Sequence, residues 1–405
     1  MPHQRLSLCL LLLASNVLAQ EGDYFPPPDN EGGWRTLTEP SEIRNIAGID
    51  VRRLDQAFEY AQRTSQHGGL LVVRRGWMVY ERYYGKGSRE ANPDMYSVTK
   101  AVTSIACGIM LHERNSEIPA GLEQKVFTRK YLPQALPLND PRKGEIKLGQ
   151  LLAMTAGITD SAAAGSGRTI GTMSSDFNAL IAPLWSDPGA AYRYSTLSTH
   201  LASMVLRNVT GMELEKYIEE RMAKPMQWGR WGFARHYEEP PLPHTPGGVG
   251  IAMRSTDALR FSYLLLRNGR WRKLQLVPAG YIELCSHPSP YNPYTPFSLQ
   301  FEVNADGHVS GAPRDAYFKS GGGGFAVYVV PSLDMIVYKM ASVKFPDFPF
   351  DNYNPALTGL PQAYKYDGSR NDWKPHAFDQ FHDGPIEGDT GVRRVLEMVV
   401  ASVVE

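Results

Sequence analysis

Ser97 and Lys100 stand three residues apart in DMYSVTKAVTSIACGIMLHE, residues 94–113, where a helical pattern begins. Three helical residues make about one turn, so the two side chains share a face within reach of each other. A serine at a helix N-terminus also sits where the dipole favours developing negative charge. A desolvated lysine beside other cations can lose its proton near neutral pH and accept one from the hydroxyl, making the serine a nucleophile. The same pair reads equally as a helix cap followed by an exposed lysine. About one such pair arises by chance in a chain of this length at ordinary Ser and Lys frequencies. Alone, the motif does not decide.

Two further stretches carry matching chemistry. In DPGAAYRYSTLSTHLASMV, Tyr194 and Ser195 fall just before a helical pattern and after a Pro188-Gly189 turn. A phenol is a poor base at its free pKa of about 10, but two nearby ammonium groups would favour its ionised form. A turn aromatic packed on the helix accounts for the tyrosine as well. In FKSGGGGFAVYVV, Lys319, Ser320 and Gly321 open a β run and are followed by Gly322, Gly323 and Gly324. Glycines let a substrate lie against a strand edge and leave backbone N–H groups for an oxyanion. A plain flexible loop explains the glycines, but not the lysine and serine immediately before them.

The elements that must position these residues have distinct patterns. GLLVVRRGWMVYERYYG predicts a hairpin turning at Arg74-Arg75-Gly76. The helix from Ser97 repeats apolar residues at Val102, Ile105, Ala106, Ile109 and Met110, which predicts one buried face. From Lys147 to about Met226 the pattern is mostly helical, with Gly211 near a helix junction. STDALRFSYLLLRNG predicts a helix capped at Ser255 or Thr256 and stopped at Gly269. β runs return as a hairpin around Pro331-Ser332-Leu333-Asp334, and the chain closes on a helix. This predicts an α/β (α+β) fold: an antiparallel sheet flanked by helices, built from both chain ends, with a mostly helical lobe inserted at roughly residues 114–250. A cleft between sheet and lobe is the natural place for a site.

In order, Ser97-Val98-Thr99-Lys100, Tyr194-Ser195-Thr196 and Lys319-Ser320-Gly321 resemble the SxxK, YxN and KTG motifs of the serine β-lactamase and penicillin-binding-protein superfamily. LGQLLAMTAGI and GIAMRSTDALRFSYLLLRNG are similar to segments of its class C and esterase branch, and KSGGGGFAVYVVP to the branch with 6-aminohexanoate-dimer hydrolase. The resemblance runs from about Gly69 to Ala341 and implies a β-lactamase/transpeptidase-like fold. It further implies an acyl-serine mechanism with Ser97, Lys100 and Tyr194 as catalytic residues. The N–H groups of Ser97 and Gly322 would form the oxyanion hole, and Ser195, Thr196, Lys319, Ser320 and Gly321 would bind substrate. No cofactor or metal is implied. Thr196 replaces the asparagine that helps hold a lactam amide in family β-lactamases, and no class A Glu-x-x-x-Asn segment is apparent. Both weigh against lactam hydrolysis.

The whole chain bounds the remaining choices. Lys plus Arg and Asp plus Glu both total 42 in 405 residues, so the balance offers no electrostatic attraction to nucleic acid. A small-molecule or short peptide-like amide or ester fits better. Arg5, the apolar run at residues 6–13 and Val17-Leu18-Ala19 predict a signal peptide over residues 1–19, cleaved before Gln20. The run is too short for a comfortable transmembrane helix, and no later segment is apolar enough to span a bilayer. The expected protein is therefore exported, periplasmic or secreted, with an extended entry segment at residues 20–45 and a hydrolase domain at 46–405. Cys107 and Cys285 then remain, without a disulfide framework, and Cys107 is expected as a buried thiol. His376 and His382 lack the spacing and third ligand of a zinc site. His200 is expected as a packed or rim residue rather than a triad base. Loops at residues 161–177 and 345–353 are expected to set substrate choice.

The reading is an exported serine hydrolase cleaving an amide or ester. The alternatives are a β-lactamase or D-alanyl-D-alanine carboxypeptidase, a catalytically silent peptidoglycan-binding or sensor protein, and a metal-dependent hydrolase using the C-terminal histidines.

Overall fold

The structure is a computed structural model that describes residues 24–159, 176–233, 244–342 and 390–404. The segments expected as leader and as the C-terminal histidine pair, and most of the two substrate loops, lie outside the described residues.

At the centre is a six-stranded sheet. Its strands are β1 (Gly68–Arg74), β2 (Trp77–Tyr84), β3 (Glu302–Val303), β4 (Tyr317–Ser320), β5 (Ala326–Val330) and β6 (Met335–Met340). The order is β2-β1-β6-β5-β4-β3, antiparallel at every pairing, so early and late chain segments meet at β1 and β6. The β1–β2 turn places Arg75 at φ 52° and Gly76 at φ 74°. Two left-handed central residues match the right-handed twist of the paired strands, which explains the glycine there. The expected hairpins and the antiparallel sheet from both chain ends are present.

Side chains alternate across this sheet. Leu70, Val72 and Val337 face a layer formed by α1 (Val51–Thr64) and, near the C-terminus, α6 (Val392–Val400). α1 buries Leu54, Ala57 and Ala61 at helical spacing, and its N-terminus is capped by Asp50, which accepts from the Arg52 N–H. Leu71, Val73, Ile336 and Tyr338 point the other way, into the larger core with α2 (Thr99–Glu113), α4 (Thr196–Thr210) and α5 (Ser255–Leu266). Short α3 (Asp176–Ile181) precedes α4.

Two local expectations change. α2 does not bury one face only: every residue from Thr99 to Met110 is buried, because sheet and helical body enclose it. Neither Ser255 nor Thr256 caps α5. Ser255 hydrogen-bonds the Tyr83 hydroxyl, and Thr256 donates to Asp29 in the entry segment. Of the two places expected for His200 the packed one holds: it is fully buried on α4. Cys107 and Cys285 are both buried free thiols. Among the described residues, no helix is long and apolar enough to cross a membrane.

Candidate active site

Ser97 lies in a single 3-10 turn, Tyr96–Val98, that runs directly into α2. The turn is strained: Tyr96 has φ 50°, uncommon for a bulky non-glycine residue. Its N–H donates to Asp94 Oδ1 at 2.7 Å, and Thr99 Oγ1 donates back to its carbonyl at 2.5 Å. Together these bonds hold the turn that presents Ser97. The Ser97 side chain makes no capping bond there. Lys100 Nζ donates to its Oγ at 3.0 Å instead. Neither the turn nor α2 has a side-chain cap; Asp94 braces the turn and the Ser97 hydroxyl meets Lys100.

One turn on, Lys100 is fully buried. Its Nζ also donates to the Gly248 carbonyl at 2.6 Å and lies 5.1 Å from the Tyr194 ring centroid. Tyr194 immediately precedes the cap of α4 and keeps 36% of its surface exposed, so its phenol borders solvent while both lysines beside it are buried. From the far side, Lys319 on β4 donates to the Tyr194 hydroxyl at 3.2 Å and sits 4.7 Å from the ring centroid. The phenol is thus flanked by two amines, Lys100 and Lys319. Phe297 closes one edge, 6.3 Å from the Tyr194 ring and 5.0 Å from Lys319 Nζ.

The remaining predicted residues divide. Ser195 is buried and spends its hydroxyl oxygen capping α4, accepting from the Ser198 N–H at 3.1 Å. Thr196 is buried at the first helical position, its methyl pressed toward Gly248. Ser320 ends β4 and Gly321 follows it, both half-buried, and the turn Gly322–Gly324 leads to β5. A Cβ on Gly321 would come 2.1 Å from the Met95 carbonyl oxygen, and one on Gly322 3.4 Å from Tyr96. Only glycine lets this strand end approach the Ser97 turn so closely. Ser97, Lys100, Tyr194, Lys319 and Gly322 therefore converge from α2, the start of α4 and the β4–β5 turn. The Gly248 carbonyl and Phe297 were not anticipated. A Gly247-Gly248 pair in HTPGGVG hinted at close backbone approach, while Phe297 had no sequence signal.

Burial pulls the Lys319 ammonium down to about 7, with the negative charge of Glu302 opposing it. The folded value lies below the free value of 10.5, so between the two the unfolded chain holds a proton that the folded chain lacks. Stability from this group is present above 10.5 and is lost as pH falls through about 7. Lys319→Met, of similar length and without the charge, is expected to raise the thermal midpoint relative to the parent most at acid pH. The gain narrows toward pH 10. Thermal melts of both proteins across that range check this, and a pH-independent gap would contradict it.

Known proteins share this frame. A family model described as Beta-lactamase matches residues 54–360. The chain belongs to that family. Membership agrees with the β-lactamase-like fold that its motifs led one to expect. An Escherichia coli K12 protein provisionally described as a D-alanyl-D-alanine carboxypeptidase is 24% identical over 224 residues, 48% of this chain and 49% of that protein. The chain spans about half the length of the curated relatives it matches. A Bacillus anthracis structure provisionally described as a 6-aminohexanoate-dimer hydrolase superposes with TM-score 0.57 at 18% identity, covering 79% of this chain and 84% of that one. EstCE1, described as a hydrolase with promiscuous acyltransferase activity, gives 0.58 at 18%, covering 76% and 98%. At these identities the structural likeness speaks to the fold.

Proposed function

We propose that this protein is an exported serine hydrolase that cleaves an amide or ester bond through an acyl-serine intermediate at Ser97. The observation that carries the reading is one chain of contacts. Lys100 Nζ is 3.0 Å from Ser97 Oγ and faces the Tyr194 ring, and the Tyr194 hydroxyl is 3.2 Å from Lys319 Nζ. The hydroxyl and amine are in hydrogen-bond contact and the phenol stands beside the amine, a set of groups that can take up and return one proton without any added group.

In the first half-reaction Ser97 Oγ forms a bond to the substrate carbonyl carbon, and its proton goes to the Lys100–Tyr194 pair. Charge gathers on the carbonyl oxygen, and the N–H groups of Ser97 and Gly322, the family's oxyanion hole by resemblance, would receive it. Collapse breaks the bond to the leaving amine or alcohol, and Tyr194 returns the proton to it. Water then attacks the acyl-enzyme with the same pair as base, releasing the acid and restoring Ser97. Lys319 adds positive potential at the phenol and orients substrate.

The substrate class rests on departures from the lactamase pattern. Thr196, in the place of an asparagine that would grip a lactam amide, is buried against Gly248 and offers little to a ligand. The name of the Bacillus anthracis protein, a 6-aminohexanoate-dimer hydrolase, supports a linear amide among the candidate substrates. Export rests on the leader pattern at residues 1–19. One preparation tests both. Protein recovered from the exported fraction is expected to begin at Gln20 and to turn over p-nitrophenyl butyrate or a short linear amide. Nitrocefin turnover is expected to be at least about 100-fold slower in kcat/KM. Nitrocefin as the preferred substrate would replace this reading with a lactamase, and a cell-retained product with an intact leader would remove the export.

A further inference from the structure

Behind Lys100 lies a buried charged cluster that the proposed reaction does not use. His200 on α4 places Nε2 2.7 Å from Asp176 Oδ1 on α3. The Asp176 carboxylate also takes Arg207 and stands 3.6 Å from His244, whose Nδ1 meets Glu213 Oε1 at 2.9 Å. Burial works against a charge on Asp176, but the His200 bond and the Arg207 charge hold its carboxyl well below the usual carboxylate range. An Asp–His pair invites comparison with a catalytic dyad. Its second nitrogen, however, points elsewhere: Nδ1 accepts from the Gly247 N–H at 3.2 Å.

That acceptor role fixes the tautomer. A backbone N–H can only donate, so Nδ1 is bare and the ring proton sits on Nε2, facing Asp176. The other end of residue 247 is also held, because Thr103 Oγ1 on α2 donates to its carbonyl at 2.6 Å. The next carbonyl, Gly248 O, is the one that receives Lys100 Nζ. No side chain fits between this backbone and α4. A Cβ on Gly247 would lie 2.2 Å from Ser203 Oγ and 3.0 Å from His200 Cα; one on Gly248 would lie 2.6 Å from Thr196 Cγ2. The two glycines rest directly on the helix that carries His200.

We propose that His200 is a positioning residue for the Ser97–Lys100 pair. Its neutral, Nε2-protonated imidazole anchors the Gly247–Gly248 backbone so that the Gly248 carbonyl steers the Lys100 amine onto Ser97 Oγ. The inference rests on the Ser–Lys reading of the site but is independent of which bond is cleaved.

Two substitutions separate the halves of the imidazole. His200→Asn places an amide oxygen near the Nδ1 position and keeps an acceptor for Gly247. His200→Gln places an amide nitrogen near the Nε2 position and keeps only the donor to Asp176. The experiment measures kcat and KM on p-nitrophenyl butyrate, the rate of Ser97 labelling by a fluorophosphonate, and the thermal midpoint, with Lys100→Met as control. Both histidine variants are expected to melt earlier, since each leaves a buried partner unmet. His200→Asn is expected to keep kcat within about threefold. His200→Gln should lose roughly tenfold or more in kcat and labelling, with KM little changed, as for an interaction acting on the reacting groups. Equal kcat in the two variants would overturn the tether while leaving the Ser–Lys reading intact. Wild-type labelling in Lys100→Met would overturn that reading and the tether with it. Should neither histidine variant fold, Thr103→Val frees the same residue from its other side. A drop in kcat of about threefold or more at constant KM is then expected, and unchanged kcat would overturn the proposal.

Discussion

Ser97→Ala is expected to lower kcat on any substrate the parent accepts by on the order of 10⁴-fold or more, while leaving the fold intact. The magnitude follows from what is removed and what remains. Without Oγ no acyl-enzyme forms, yet the N–H donors and the substrate groove persist and can still favour direct attack by water. The half-buried hydroxyl accepts one bond from Lys100, and that amine keeps the Gly248 carbonyl after the change. The cost to stability is therefore about 1 kcal/mol or less. Intact-protein mass after fluorophosphonate treatment gives an independent readout. The parent should gain one adduct, mapped to the peptide holding Ser97, and Ser97→Ala should gain none. A variant with a tenth of the parent rate, or a label on another serine, would place the chemistry elsewhere.

The architecture was legible where apolar periodicity was strong. The hairpins at Gly76 and at Pro331 read directly because their turn residues punctuate two β-rich runs, and sheet closure by both chain ends followed from strands at either end of a helical middle. α2 misled because helical period reveals which residues repeat, not how many layers enclose them. Its small residues Ala101, Ser104 and Gly108 let sheet and helices approach all round, so polar Thr99 and Lys100 are buried too. The capping residues of α5 misled for a related reason. Ser and Thr can bond tertiary partners as readily as a helix end, and Asp29 and Tyr83 are distant in sequence.

The candidate site was legible as motifs and not as geometry. Spacing placed Lys100 one turn from Ser97, and the glycine run was readable as a strand edge open to substrate, not as the close approach of Gly321 to Met95. Nothing in the local sequence linked Gly248 to Lys100 or His200 to Asp176, because these contacts span 148 and 24 residues and depend on how α2, α3 and α4 pack. Ser195 shows the opposite limit: the motif position implied a ligand contact, whereas the local helix start gives the same oxygen a cap to make.

Lys100→Met is expected to reduce kcat by about 10² to 10⁴-fold, the range for losing a positioned proton acceptor. It should also slow fluorophosphonate labelling of Ser97. Methionine has nearly the same length and suits the apolar walls around α2, so the change isolates the amine. Its Nζ bridges Ser97 Oγ and the Gly248 carbonyl and faces the Tyr194 ring at 5.1 Å. Losing it therefore takes away the nearest acceptor for the hydroxyl proton and, once that proton is taken up, the positive charge beside the phenol. If Tyr194 shares the base role, the residual activity of Lys100→Met should rise at higher pH than in the parent, because the phenolate now forms without the Lys100 charge, and Lys319, pulled down to about 7 by burial, is largely neutral in that range. If Lys100 is the sole base, residual activity stays low and nearly flat across the same range. The pH–rate profile of the variant, set beside Tyr194→Phe, divides the proton transfer between the two groups. Parent-like kcat in Lys100→Met would mean that the buried amine serves packing rather than reaction, since no other amine among the described residues is seen to hydrogen-bond the Ser97 hydroxyl.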